Sequence, residues 1–351
     1  MRSEGLFVKV LVTGLDGYIG TVLGELLVRN AHEVVGLDTG YYRDGWLYSG
    51  YSASSISPRI INKDLRSVTA ADVTGFDAIV HLAELSNDPL AENRPEVTFK
   101  INHEGSVRLA TVARAAGVSR FVYVSSCSVY GSATGDLVDE TSTPNPQTAY
   151  AHCKLLVERD VGAMADADFC PVFLRPATAY GPSPRMRFDI VINDLCALAW
   201  TKKRIAMTSD GSPWRPVVHI EDFCEAIRIA AEAPAAAVRG QVMNVGDTRE
   251  NYRVRELADM IGEVFPDCDV SVGKKSGDTR SYRVNFDKIR RLMPEFRCRW
   301  NARQGIEQLR KLFERIQLSA DRYEFRAFTR VKQLKYLLST AQVDTDLYWK
   351  S

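Results

Sequence analysis

The segment Val10-Leu11-Val12-Thr13-Gly14-Leu15-Asp16-Gly17-Tyr18-Ile19-Gly20 constrains the fold more than any other. An apolar, β-branched run meets a Gly-x-x-Gly-x-x-Gly turn, and Ile19, Val22, Leu23, Leu26 and Leu27 follow at helical spacing. A strand that turns this tightly into a helix needs glycine for positive φ, for close backbone approach to a ligand and for helix–strand contact. The helix N-terminus beyond it favours an anion. Asp38 follows Gly20 by 18 residues, at the end of the next predicted strand. A carboxylate there accepts hydrogen bonds from a ribose diol and repels a 2′-phosphate. The pattern therefore predicts dinucleotide binding, with NAD favoured over NADP.

The alternation continues. Apolar strands are predicted over 33–37, 59–63, 78–82, 121–125 and 170–175, and helices over 18–30, 97–116 and 150–164. Strands alternating with helices imply an α/β, Rossmann-like, doubly wound parallel sheet. After Arg175, the prolines at 176, 182, 184, 213 and 216 break the rhythm and predict a smaller C-terminal α/β substrate lobe. The expected division is 1–182 for the NAD-binding domain, with 216–246 returning to it, the strand 217–220 included. Residues 183–215 and 247–318 are expected to form the lobe, and 319–351 a helical tail. Within the tail, 325–338 reads as a docked amphipathic helix whose basic face, Arg326, Arg330, Lys332 and Lys335, is solvated, with a partner or phosphate contact as the lesser alternative.

The charges nearly cancel, 45 basic against 44 acidic residues. That argues against a general nucleic-acid or membrane-surface binder, so any anionic ligand is met by a few placed groups. Leu6–Val12 is short, carries Lys9 and lacks a cleavage site, so neither a membrane span nor an export leader is expected. Seven cysteines are scattered without metal-ligand spacing, which fits reduced thiols in a cytoplasmic protein and no metal site.

Tyr150 and Lys154 stand at i and i+4 and share a helix face. An ammonium beside a phenol stabilises the phenolate and brings its pKa toward working pH, so Tyr150 can remove a hydroxyl proton while hydride leaves the same carbon. Lys154 can also bond the nicotinamide ribose. The strand Val122–Val124 ends in the hydroxyl-rich stretch Ser125-Ser126-Cys127-Ser128-Val129-Tyr130-Gly131, where Ser126 is the candidate to hold the substrate oxygen.

With these motifs, the chain resembles the extended short-chain dehydrogenase/reductase family, in its nucleotide-sugar epimerase/dehydratase branch. The matching residues are Thr13-Gly14-x-x-Gly17-x-x-Gly20, Asp64-Leu65, His81-Leu82-Ala83, Asn102-x-x-Gly105, Ser125–Gly131, Tyr150-x-x-x-Lys154, Arg175-Pro176 through Tyr180-Gly181-Pro182, and Arg215–Asp222. They run in family order across most of the chain. The resemblance implies a bound NAD held by Gly14, Gly17, Tyr18, Ile19, Gly20, Asp38, Asp64, Leu65, Leu82, Ala83, Tyr150, Lys154 and Pro176. It implies a Ser126–Tyr150–Lys154 triad. It also implies a nucleoside-diphosphate sugar met by Ser86, Ser126, Cys127, Ser128, Thr178, Asn193, Arg215, Arg280 and Tyr282, with the two arginines clamping the diphosphate. A homodimer formed through helices 97–116 and 150–164 is expected on the same ground.

Family 4,6-dehydratases carry an Asp-Glu pair directly after the active hydroxyl residue. Cys127 and Ser128 stand there, which argues against that reaction. Family 3,5-epimerases place a cysteine two residues before the loop tyrosine, and here Cys127 is three before Tyr130, so it reads as a small packed residue. The minimal triad remains. It supports 4-epimerisation through a transient 4-keto sugar, or alternatively a 4-ketoreductase that consumes NAD(P)H. A non-catalytic dinucleotide sensor would not need the intact Tyr-x-x-x-Lys.

His81 and His219 read as structural, and His152, at i+2 from Tyr150, points away from the chemistry. Glu84, Asn87 and Asp88 follow the fourth strand and are candidates to face the sugar. Trp46 and Trp214 are candidates for stacking or for packing.

Overall fold

The computed structural model describes residues 8–49, 57–86, 94–133, 137–273 and 280–350. Its frame is the sheet that the alternation predicts. In chain order the strands are β1 Lys9–Thr13, β2 Glu33–Asp38, β3 Arg59–Asn62, β4 Ala78–His81, β5 Arg120–Val124, β6 Cys170–Pro176, β7 Thr178–Tyr180, β8 Arg204–Met207, β9 Trp214–His219, β10 Val242–Val245, β11 Asn251–Arg253 and β12 Asp269–Val272. The longer helices are α1 Tyr18–Arg29, α2 Gly105–Ala115, α3 Ala149–Gly162, α4 Val191–Lys202, α5 Ile220–Glu232, α6 Val254–Val264, α7 Ala302–Ile316 and α8 Arg330–Ser339.

Seven parallel strands run in the order β10-β6-β5-β4-β1-β2-β3. Strand side chains alternate faces, so Val10 and Val12 pack with Leu23 and Leu27 of α1 and Ala226 and Ile227 of α5, while Leu11 packs with Leu109 and Ala113 of α2 and Val157 and Val161 of α3. Both faces are thereby covered, as parallel sheets require. Strand order reverses between β1 and β4, which opens a crevice at their carboxyl ends, where ligands of such sheets bind. The remaining strands form a three-stranded sheet, β11-β9-β7, and the pair β12-β8, which α4, α6 and α7 accompany.

Three expectations are corrected. The helix expected over 97–116 is broken: a short helix, Pro95–Thr98, meets a π-helical turn, Phe99–Glu104, before α2 begins. The Asn102 amide, which accepts from Leu85 N at 2.8 Å and donates to Leu85 O at 3.1 Å, is served by that wider turn. Residues 217–220 are expected in the main sheet, yet β9 pairs with β7, Thr178 opposite Val217. β7 has already run past the carboxyl end of β6 and carries its partner out of the main ladder; α5 and β10 supply the return instead. In the tail, Lys332 and Lys335 are exposed, but Arg330 is buried. Its guanidinium lies 3.8 Å from the Tyr42 ring centroid, because α8 docks on the loop after β2. There Gln333 Nε2 donates to Tyr41 O, and Leu334 and Leu337 join Tyr41, Leu85, Val97 and Ile101 in a third apolar cluster.

Candidate active site

One cleft of about 810 Å³ runs from the crevice into the smaller sheet. Its first half is built by the glycine turn. Gly14 has φ +75°, and a Cβ on it would lie 2.9 Å from Ala83 N. A Cβ on Gly20 would lie 2.2 Å from Gly14 O, so only glycine lets α1 start this close to β1. No side chain caps the N-terminus of α1, which leaves its first amides to a ligand. Asp38 sits at the end of β2 and accepts from Gly40 N at 2.8 Å and Asp16 N at 3.1 Å; burial pushes its carboxyl up. Asp64 caps the turn after β3 and pairs with Arg66 at 2.7 Å. Gly17, Tyr18, Ile19, Leu65, Leu82, Ala83 and Pro176 complete this wall. A cradle that a Cβ would fill, uncapped amides and a carboxylate at the end of β2 fit the pyrophosphate and ribose of NAD.

The second half gathers Ser126, Tyr150 and Lys154. β5 ends at Val124, and Ser126 opens a 3-10 turn by accepting from Ser128 N at 3.1 Å. Thr148 caps α3 through Ala151 N, which sets Tyr150 and Lys154 on the face toward that turn. Lys154 Nζ lies 5.3 Å from the Tyr150 ring centroid, and Ser126, Tyr150 and Lys154 all line the cleft. Lys154 also donates to Val124 O and pairs with Glu84 Oε2 at 2.6 Å. Burial opposes its charge most strongly, but Glu84, Tyr150 and Cys153 together outweigh this and hold the lysine pKa above the usual value. Glu84, a candidate to face the sugar, lines the cleft with its carboxylate on the lysine. Asn87 and Asp88 lie outside the described residues.

Ser86, Ser128, Thr178, Arg215, Arg280 and Tyr282 line the remainder. Two expected contacts do not. Cys127 is on the inner side of its turn, with its thiol donating to Arg175 O at 3.2 Å, and burial pushes that thiol well above its usual pKa. Asn193 is fully buried: it accepts from Gly181 N at 3.0 Å and donates to Tyr18 Oη and Arg187 O at 3.1 Å each. It braces the wall from behind. Trp46 and Trp214 also stay outside the cleft, Trp46 under the Arg185 guanidinium and Trp214 beside Arg253 and Arg283.

Sequence reasoning gave no place to Arg187 and read Arg330 mainly as solvated, yet both line the cleft. Arg187 donates to Asp189 at 2.8 Å and to Ser86 Oγ at 3.2 Å, and Arg330 reaches in from α8. The Pro-rich run 182–189 was the available signal for Arg187; the basic residues of 325–338 were the signal for Arg330.

The histidines are structural. His81 bonds Thr13 Oγ1 at 2.6 Å and Ser106 Oγ at 2.7 Å, and burial pushes its pKa down to about 3. His219 bonds Gln308 at 2.8 Å and stacks on Trp300, and burial takes it down to about 4. His152 is exposed. Among the described residues no three His, Cys, Asp or Glu side chains group as a metal site, and no helix is long and apolar enough to cross a membrane.

Residues 10–246 match the NAD dependent epimerase/dehydratase family. The chain belongs to this family. It is similar to the UDP-glucose 4-epimerase of Mycolicibacterium smegmatis, with 31% identity over 81% of this chain and 92% of the relative. The UDP-glucose 4-epimerase of Corynebacterium glutamicum is 25% identical over 73% of this chain and 80% of its own. Among solved structures, MoeE5 in complex with UDP-glucose and NAD superposes with a TM-score of 0.74 at 27% identity, covering 88% of this chain and all of that one. The family membership makes the chain an NAD-dependent enzyme of nucleotide-sugar epimerase/dehydratase type.

Proposed function

We propose that the chain is an NAD-dependent nucleotide-sugar epimerase acting at C4 through a transient 4-keto sugar. One observation carries this reading: Ser126, Tyr150 and Lys154 share the cleft, while each carboxylate among its described lining residues is engaged elsewhere. Asp38 accepts backbone amides, Asp64 holds Arg66, Glu84 holds Lys154, Asp189 holds Arg187 and Asp194 accepts the Tyr323 hydroxyl. A dehydratase needs an acid to expel a hydroxyl group; positions 127 and 128 offer Cys and Ser. The relatives named as 4-epimerases support the same choice.

Bound NAD supplies a reversible hydride acceptor. The chain's own residues do the rest. Arg215 and Arg280 bind the diphosphate, and Thr178 and Tyr282 bound the sugar. Ser126 holds the C4 oxygen and donates to it as charge develops. Tyr150 takes the C4 hydroxyl proton and later returns it. Lys154 keeps the phenolate accessible by its charge. Epimerisation follows when the 4-keto sugar turns its other face before the proton and hydride return. A homodimer in the cytoplasm accompanies this reading.

The test is incubation with UDP-glucose and chromatography of the products. The expected result is the C4 epimer at catalytic enzyme, with no net consumption of cofactor. Tyr150→Phe and Ser126→Ala should each lower turnover by about 100-fold or more, in line with loss of a general base or an oxyanion donor, with NAD still bound. Full activity in Tyr150→Phe would sink the mechanism. Stoichiometric oxidation of added NADH with a keto sugar would establish the reductase instead.

A further inference from the structure

Glu84 is held from two sides. Its side chain is 2% exposed, and Oε2 lies 2.6 Å from Lys154 Nζ, whose side chain is 5% exposed. Oε1 accepts the Tyr123 hydroxyl of β5 at 2.6 Å. Lys154 Nζ lies 4.7 Å from the Tyr123 ring centroid and 5.3 Å from that of Tyr150. A buried carboxylate is costly unless paired and hydrogen-bonded, and this one is paired with the lysine of the proposed triad and hydrogen-bonded to Tyr123. The ammonium favours phenolate at Tyr150 through its positive charge, and a carboxylate beside the same ammonium offsets part of that field.

We propose that Glu84 is a positioning residue for the reaction: through the ion pair it fixes the Lys154 ammonium beneath the cleft and sets how much of its charge reaches the Tyr150 phenol. The proposal rests on the reading of Ser126, Tyr150 and Lys154 as the triad. The other ionisable groups around the pair do not share the role. Burial keeps His81 of β4 neutral and pushes the Cys153 thiol of α3 up to about 12. Burial and Glu84 together keep the Tyr123 phenol protonated. Arg187, facing from the loop after β7, is tied to Asp189, and Glu158 of α3 is tied to Arg175 at 2.6 Å.

The test is a phenolate titration of the full chain by ultraviolet difference absorbance, with Tyr150→Phe subtracted in each background so that the signal belongs to Tyr150. Glu84→Gln keeps the shape and removes the charge. Its Tyr150 midpoint should move to lower pH by about one unit, as expected for loss of one nearby charge in a partly screened site. The acid limb of kcat/KM should move with it. A midpoint that stays in place or moves to higher pH overturns the proposal. Lys154→Met separates the two readings. If the Tyr150 midpoint does not rise without Lys154, the triad and the proposal fall together. If it rises while Glu84→Gln matches wild type, the proposal alone falls. Should Glu84→Gln fail to fold, Glu84→Asp draws the carboxylate back from the ammonium, and its shift should have the same sign and a smaller size.

Discussion

Arg185 closes a fork on Asp16: its Nε and Nη2 both donate to Asp16 Oδ1, at 2.8 and 2.6 Å, and its Nη1 donates to the carbonyls of Tyr42 and Arg43. Asp16 lies inside the glycine turn, and the two side chains are 3% and 12% exposed. One guanidinium therefore ties the turn to the loop after β2. Arg185→Ala leaves a buried carboxylate unpaired and should cost about 3 kcal/mol in urea unfolding. Arg185→Lys keeps the charge without the fork and should fall between the two. Calorimetric titration should show weaker NAD binding in both. Wild-type stability in Arg185→Ala would remove the fork from the account of the turn.

Arg330 brings the tail to the cleft by lying over Tyr42. A desolvated cation–π contact is worth about 2 kcal/mol. Arg330→Ala should therefore weaken NAD binding by up to about 30-fold, the equivalent of that contact, while Lys332→Ala, which changes an exposed position on the same helix, should leave it unchanged. Equal affinities in the two variants would show that the tail packs beside the cofactor site without contributing to it.

The pair Arg175 and Glu158 lies behind the wall that carries Ser126, Tyr150 and Lys154, 2.6 Å apart with side chains 6% and 7% exposed, and Glu158 also accepts the Ser125 hydroxyl. Neither lines the cleft. Glu158→Ala should cost about 3–5 kcal/mol because it strands a buried guanidinium, and replacing both residues by leucine should recover much of the loss. Urea unfolding of the single and double variants decides this; a double variant as unstable as Glu158→Ala would assign the cost to packing.

His219 gives a pH prediction with a definite sign. Its folded pKa is depressed to about 4 by burial, so the unfolded chain takes up this proton first. Its contribution to stability is fully present above the usual histidine pKa of about 6.5 and falls as pH drops from there toward 4, by about 1.4 kcal/mol per unit. The slope of unfolding free energy against pH, wild type minus His219→Gln, should show this loss between those limits. A difference that is flat there would mean the imidazole is charged in the folded protein.

The doubly wound sheet and the cofactor wall were legible because each depends on a local pattern. A glycine turn between strand and helix, a carboxylate at the next strand end and a Tyr–Lys pair one helical turn apart all carry their chemistry at short spacing. The missing pieces are long-range. Arg185 meets Asp16, Arg187 meets Ser86, and Arg330 meets Tyr42, pairs far apart in the chain that no periodicity records. Cys127 and Asn193 were misplaced for a different reason. Both adjoin residues of the cleft in sequence, but sequence adjacency does not say which side of a 3-10 turn or a helix meets the ligand. Glu84 comes just after a strand end, where ligands gather, and only the fold shows that Lys154 claims it first.

The π-helical turn Phe99–Glu104 sets the rotational phase of α2. Such a turn holds about one residue more than an α-helical one, so the same residues, wound without it as the uninterrupted helix that the sequence pattern suggests, would overshoot this phase by about one residue. Every side chain beyond the turn would then be rotated by about 100°. Ser106 would swing off His81, and His81 would lose the partner that lets its other nitrogen hold Thr13, whose hydroxyl receives the amides of Leu82 and Ala83 beneath the cleft. A straighter helix would thus unlatch the cofactor floor from a distance. The irregularity works as a timing mark, keeping Asn102 on Leu85 and Ser106 on His81 in the same turn of chain.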